Sequence, residues 1–226
     1  MKKMKPFTLR ILLLSACLLV MIACTEETHD QAKGIAHFES GLKALDATNM
    51  PLAFKDFLAA AKEGHALAQF NVALMYEQGL GISKNEKEAF SWYVKSASQG
   101  NAAAQFNLGV FYENGRGTEV DFAKANEWYR KASVQGDGLA VGNLGMLYIR
   151  GQGVKENKVA GVALLLASAA MDTSPENQAK NNISATRGLT TAMVTEAQTL
   201  SGEMSNANNI LVPLDNYLKE SENSKE

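Results

Sequence analysis

Cysteine is almost absent from this chain. There are two, Cys17 and Cys24, and both stand near the amino terminus. The body of the chain can form no disulfide with itself, so its fold rests on packing alone. Histidine is nearly as scarce. His29, His37 and His65 are scattered without ligand spacing, which gives no basis for a metal site. Beyond the first ten residues no cluster of Lys or Arg is present, and the formal net charge is −2. Nucleic acid is therefore not an expected partner. HExxH, GxSxG and phosphate-loop patterns are all missing. Ser40 to Lys43 matches S-x-x-K, but no K-T-G or S-D-N companion accompanies it. With no catalytic grouping and no cofactor motif, the chain reads as a binding protein and not as an enzyme.

What is present begins with a targeting signal. Lys2, Lys3, Lys5 and Arg10 precede a short apolar run from Ile11 to Ala23. That run has the length of a signal-peptide core and is short for an ordinary membrane span. It ends Met21-Ile22-Ala23-Cys24, which resembles a bacterial lipoprotein signal. Residues 1–23 are expected to be removed and Cys24 to be lipidated. Leu14-Ser15-Ala16-Cys17 is a second match with fewer apolar residues before it. Losing the four early positive charges leaves 18 Lys+Arg against 24 Asp+Glu, a net of about −6. Residues 24–30 form a polar tether. The expected location is the periplasm, anchored by lipid to a bacterial membrane. The outer membrane is favoured, because Thr25 stands where Asp would signal inner-membrane retention in enteric bacteria.

The remainder repeats. Trp92 and Trp128 lie 36 residues apart, and Gly79, Gly115 and Gly151 keep that step. So do Gly81, Gly117 and Gly153, then Tyr76, Tyr112 and Tyr148, then Asn71, Asn107 and Asn143. A fixed period of this size marks stacked two-helix units. In the copy from Ala102 to Gly136, Leu108, Gly109 and Tyr112 share one helical face. Asn114-Gly115-Arg116-Gly117 breaks that helix, its glycines being free to take positive φ. Phe122, Ala125, Trp128, Tyr129 and Ala132 then recur at 3 and 4 spacing, predicting a second helix that Gly136 ends. Gly109 aligns with Ala73 and Gly145. Gly inside a helix costs about 1 kcal/mol against Ala, and the return expected here is close approach of the partner helix. The Trp-Tyr pairs 92–93 and 128–129 are placed on the packing side.

The run A-x-x-x-N-L-G-x-x-Y-x-x-G-x-G from Ala103 to Gly117, followed by Ala125, Trp128-Tyr129 and the KAS-x-QG ending, resembles the Sel1-like repeat, a relative of the tetratricopeptide repeat. The expected fold is all-α: a short right-handed α-solenoid of helix-turn-helix repeats with capping helices. Three repeats are expected at 66–101, 102–137 and 138–173. In the third, Leu164-Leu165 replace Trp-Tyr and Gly161 replaces the alanine of the second helix. Residues 31–65 read as a degenerate repeat serving as one cap, and 174–218 as C-terminal capping helices. Ser174-Pro175 is expected to start the first of these, Met193, Ala197, Leu200 and Met204 mark another, and Ile210 to Leu218 a last one. Residues 219–226 are expected to be a disordered tail.

On each first helix one row departs from a plain solvated face. The rows are Leu67, Asn71, Leu74 and Gln78; Ala103, Asn107, Val110 and Asn114; Leu139, Asn143, Met146 and Arg150, with binding expected at all but the first of each. In tetratricopeptide-like solenoids the first helix lines the concave side where peptides bind. The resemblance therefore implies a groove with a polar ladder and apolar spots, fit for a partner protein or peptide. The opposing reading is that each asparagine bonds the neighbouring repeat and fixes the stacking. Sel1-like proteins mostly act as adaptors. Some membrane-anchored ones are immunity proteins that neutralise a toxin entering the periplasm, which the acidic charge here would suit. The cysteine-rich ones are credited with penicillin binding or β-lactamase activity, but those carry a disulfide in each repeat and this chain carries none.

Overall fold

The computed structural model describes residues 32–223. Cys17, Cys24, the signal, the tether and the final three residues lie outside that range. Eleven helices run through the described residues, with no strand among them: α1 over 32–46, α2 Met50–Lys62, α3 Ala66–Gln78, α4 Glu86–Ser98, α5 Ala102–Asn114, α6 Phe122–Val134, α7 Gly138–Arg150, α8 Lys158–Met171, α9 Ala179–Ala185, α10 Thr191–Asn206 and α11 Leu211–Asn223. The fold is all-α, built of helix-turn-helix repeats as expected. The chain divides into two compact units, Met1–Ser83 and Lys84–Glu226.

The period works through the helix ends. Each first helix of a repeat starts at a side-chain cap: His65 accepts from the Ala68 N–H, Asn101 from Ala104 and Asp137 from Ala140. Each second helix does the same at Asn85, Asp121 and Asn157. A cap of this kind contributes about 1 kcal/mol. The two glycines of each pair do different things. Gly79, Gly115 and Gly151 sit at φ of +74°, +67° and +65° and close α3, α5 and α7 by donating to Met75, Phe111 and Leu147 carbonyls. The second glycine of each pair presses on the start of an earlier helix. A Cβ would overlap the backbone of Met50 at Gly81, of Glu86 at Gly117 and of Phe122 at Gly153.

In the first unit, α1 packs through Gly34, Gly41 and Ala44, with Phe38 tilted against Phe57 and stacked on the His65 ring. A Cβ at Gly41 would meet the Phe57 ring at 2.6 Å, so the helices approach closely. In the second unit, Gly109 plays the expected part, its missing Cβ making room for the Tyr129 ring. Tyr93, Tyr129, Leu108, Leu144, Leu164 and Leu165 are fully buried. Trp92 is nearly so, but Trp128 is only half-buried and lies under the Lys131 ammonium, 3.7 Å from the ring centroid. That corrects the placement of Trp128 in the core: the tyrosine of the pair points inward and the tryptophan lies at the rim.

The C-terminal helices differ from expectation in two places. Ser174-Pro175 makes a turn, not a helix start; α9 begins at Ala179. Asn177, the residue before the N-cap Gln178, ties that turn to both α8 and α9. Its amide donates to the Ser168 and Asp172 carbonyls, and its oxygen accepts from the Ala179 N–H. At the end of the chain, Lys219 to Asn223 are helical where a disordered tail was expected. α11 is pinned by buried Leu211 and Leu214 and by Asp215, whose two oxygens accept from the Arg130 guanidinium at 2.6 Å. Pro213 does not interrupt α11, because it falls in the first turn, where the missing N–H has no partner to lose.

Candidate functional site

None of the residues of the proposed rows is fully buried, although Val110 packs against the core of the second unit. On α3, Asn71 and Leu74 are half-buried and Gln78 is exposed. On α5, Asn107 and Val110 are half-buried and Asn114 is exposed, its amide folded back on the Val110 carbonyl at 2.9 Å. On α7, Asn143 and Met146 are half-buried and Arg150 is exposed. The α3 row belongs to the first unit and the α5 and α7 rows to the second.

In the second unit, α5 and α7 are joined through a side chain of α6. The Tyr129 hydroxyl donates to Glu113 Oε2 at 2.6 Å and accepts from Asn143 Nδ2 at 3.1 Å. The ring is fully buried. Burial, and then the negative charge of Glu113, push the phenol well above its ordinary titration range, so the hydroxyl keeps its proton and keeps donating. Asn143 therefore does part of what the stacking reading requires: it bonds the preceding repeat. The arrangement is not general along the chain. Phe57 stands 36 residues before Tyr93 and has no hydroxyl, while Leu165 and Ile149 replace the tyrosine and the glutamate in the third repeat.

Neither Glu113 nor Tyr129 belonged to the predicted rows. The signal was available, since Glu77 precedes Glu113, and Tyr93 precedes Tyr129, by 36 residues. A second ladder was also missed. Gln69 and Gln105, both buried, donate to the Ala61 and Ala97 carbonyls and tie α3 and α5 to the end of the helix before each. The remaining polar candidates have structural occupations. His65 caps α3, and the Ser40 hydroxyl donates to Asp56 at 2.6 Å. Among the described residues no group of three or more His, Cys, Asp or Glu is placed to hold a metal ion, and no helix is long and apolar enough to cross a membrane. A cleft of about 520 Å³ opens between α10 and α11, lined by Glu196, Glu203, Glu220, Leu200 and Tyr217. Burial and the Glu196 carboxylate beside it push the Tyr217 phenol up to about 12.

Hairpins of this length, closed by paired glycines and stacked at a constant period, define a helical repeat protein of the tetratricopeptide-like kind. Three of its hairpins are Sel1 repeats: the Sel1 repeat family model matches residues 66–101, 102–137 and 139–172. The chain is similar to the crystal structure of a Sel1 repeat protein from Oxalobacter formigenes, with 28% identity and a TM-score of 0.63 over 80% of this chain and 84% of that one. It also has 27% identity to c5321, a protective antigen present in uropathogenic Escherichia coli strains displaying an SLR fold; the TM-score is 0.49, over 77% of this chain and 46% of that one. No curated protein matches it. Sel1 repeat proteins are typically protein-interaction scaffolds.

Proposed function

We propose that this chain is a lipid-anchored periplasmic interaction module that binds a partner protein or peptide through the rows on its first helices. The observation that carries the reading is that asparagines and apolar side chains recur on α3, α5 and α7 and stay half-buried, Val110 resting on the core with part of its surface open. An asparagine at such a place can satisfy a backbone N–H and C=O together, and the apolar neighbours can take side chains. Asn71 and Asn107 are the positions to change, because Asn143 also holds Tyr129. Replacing both with Ala is expected to weaken binding of a partner captured by crosslinking in the native cell by roughly 2–4 kcal/mol, with an unchanged melting curve. A lowered melting temperature with binding reduced only in proportion would make the row a stacking device.

The anchor is tested separately. Cys24→Ala is expected to release the protein from the membrane fraction or leave its signal uncleaved. Unchanged lipid labelling in that variant would move the modification to Cys17 or remove the idea. A narrower reading, immunity against a periplasm-targeted toxin, is supported by the mature net charge of about −6. It predicts protection of cells challenged with a basic toxin encoded beside the gene.

A further inference from the structure

We propose that Glu113 selects the partner: its carboxylate takes a lysine or arginine side chain of the segment lying on α5 and α7. The inference rests on the reading of those rows as a binding face and adds the chemistry of what is bound. Glu113 lies three residues after Val110 on α5 and is half-buried. Its Oε2 is fixed by the Tyr129 hydroxyl, which is held in turn by Asn143. Among the described residues no Lys, Arg or His forms an ion pair with it, whereas Glu86 has Arg116 and Lys84, Asp121 has Lys124 and Asp215 has Arg130.

A carboxylate held in place without a counter-ion is arranged to receive a cation. The ordering entropy that weakens most surface ion pairs has already been lost on folding. Oε1 is left to accept from a guanidinium or ammonium, and the amide of Asn143 keeps one N–H and its oxygen for the ligand's backbone. Val110 and Met146 lie on the two flanking helices and suit apolar residues on either side of the basic one. The excess of acidic residues in the mature chain acts in the same direction, by drawing a basic segment in.

The test uses the chain from Cys24 to Glu226 and two synthetic probes, acetyl-Leu-Arg-Leu-amide and the same peptide with norleucine, which keeps an apolar stem and lacks the charge. The side-chain amide resonance of Asn143 reports binding by NMR titration. The arginine peptide is expected to shift that resonance saturably, at least tenfold more tightly than the norleucine peptide, and to weaken as salt is added. Glu113→Gln retains an oxygen for the Tyr129 hydroxyl and removes the charge. It is expected to abolish the tenfold preference while melting close to the parent. Equal affinity for the two peptides, an arginine preference that survives Glu113→Gln, or no saturable shift at Asn143 each overturns the assignment. The comparison of two probes on the unaltered chain stands even if the variant folds poorly. Equal binding of both peptides removes the role of Glu113 and leaves the rows standing as a binding face. Failure of the rows themselves is read from the Asn71 and Asn107 variant with the native partner.

Discussion

Helices α6 and α8 occupy the same place in consecutive repeats and are built in opposite ways. α6 buries Ala125, Asn126, Tyr129, Ala132 and Ser133, and exposes Lys124, Glu127 and Lys131. α8 buries nine residues, and after Lys158 it carries no charge at all through Met171. The hairpin is the same; the neighbours are not. α9 and α10 both pack on α8. A helix with a wet side keeps an amphipathic stripe, and one covered all round turns aliphatic. The replacement of Trp128-Tyr129 by Leu164-Leu165 is therefore no decay of the repeat. It records that the array ends here and that other helices close it.

The sharpest way to break this comparison is to truncate the paired positions. Tyr129→Ala is expected to cost about 3–5 kcal/mol and Leu164→Ala about 2–5 kcal/mol, since both side chains are fully buried. Trp128→Ala, at the position equivalent to Leu164, is expected to cost no more than about half of that, because its ring is half-buried and lies under the Lys131 ammonium. Denaturant melts of the three variants decide it. A Trp128 variant as unstable as the Leu164 variant would mean that α6 is covered as fully as α8.

The glycines sharpen the same point, because they separate a shared backbone device from a neighbour-dependent one. Gly153 has φ of +69° and touches the Phe122 backbone; Gly136 has φ of +91° and faces open space. Gly153→Ala is expected to cost roughly 2–5 kcal/mol, from backbone strain and overlap together. Gly136→Ala carries the strain alone, about 1–2 kcal/mol. Equal losses in thermal melts would show that the loop moves away from Phe122 and that the close approach contributes nothing.

What the sequence reveals of this protein is what its period repeats. The helix pairs, the glycine loops and the small residue at 109 are legible because each answers a requirement internal to the hairpin. The exposure of Trp128, the helical Lys219 to Asn223 and the start of α9 are not. Each depends on a neighbour distant in sequence or without a repeat equivalent: the covering of α8 by α10, the reach of Arg130 to Asp215, the bracket made by Asn177. The Glu113–Tyr129–Asn143 link lies between these cases. Its glutamate and tyrosine recur at the period, but only the structure brings them to one hydroxyl.

The smallest expected effect concerns the cap column His65, Asn101, Asp137, where one cap is an imidazole. His65 Nδ1 accepts from the Ala68 N–H at 3.2 Å, which requires a neutral ring. Burial lowers the His65 pKa below its usual value, only partly opposed by a backbone hydrogen bond. The unfolded chain therefore binds the proton more readily than the folded one. Stability rises with pH through the lowered folded value, is fully present above the unfolded value near 6.5, and is lost as pH falls through that window. The ceiling is the value of one cap, about 1 kcal/mol. His65→Asn places the capping residue of the next repeat at this position and removes the titration. Between pH 7.5 and 5.5 the parent is expected to lose up to about 2–4 °C more in Tm than the variant. Parallel losses in the two proteins would show that protonation of His65 does not unseat the cap, and the three caps would then be equivalent despite their different chemistry.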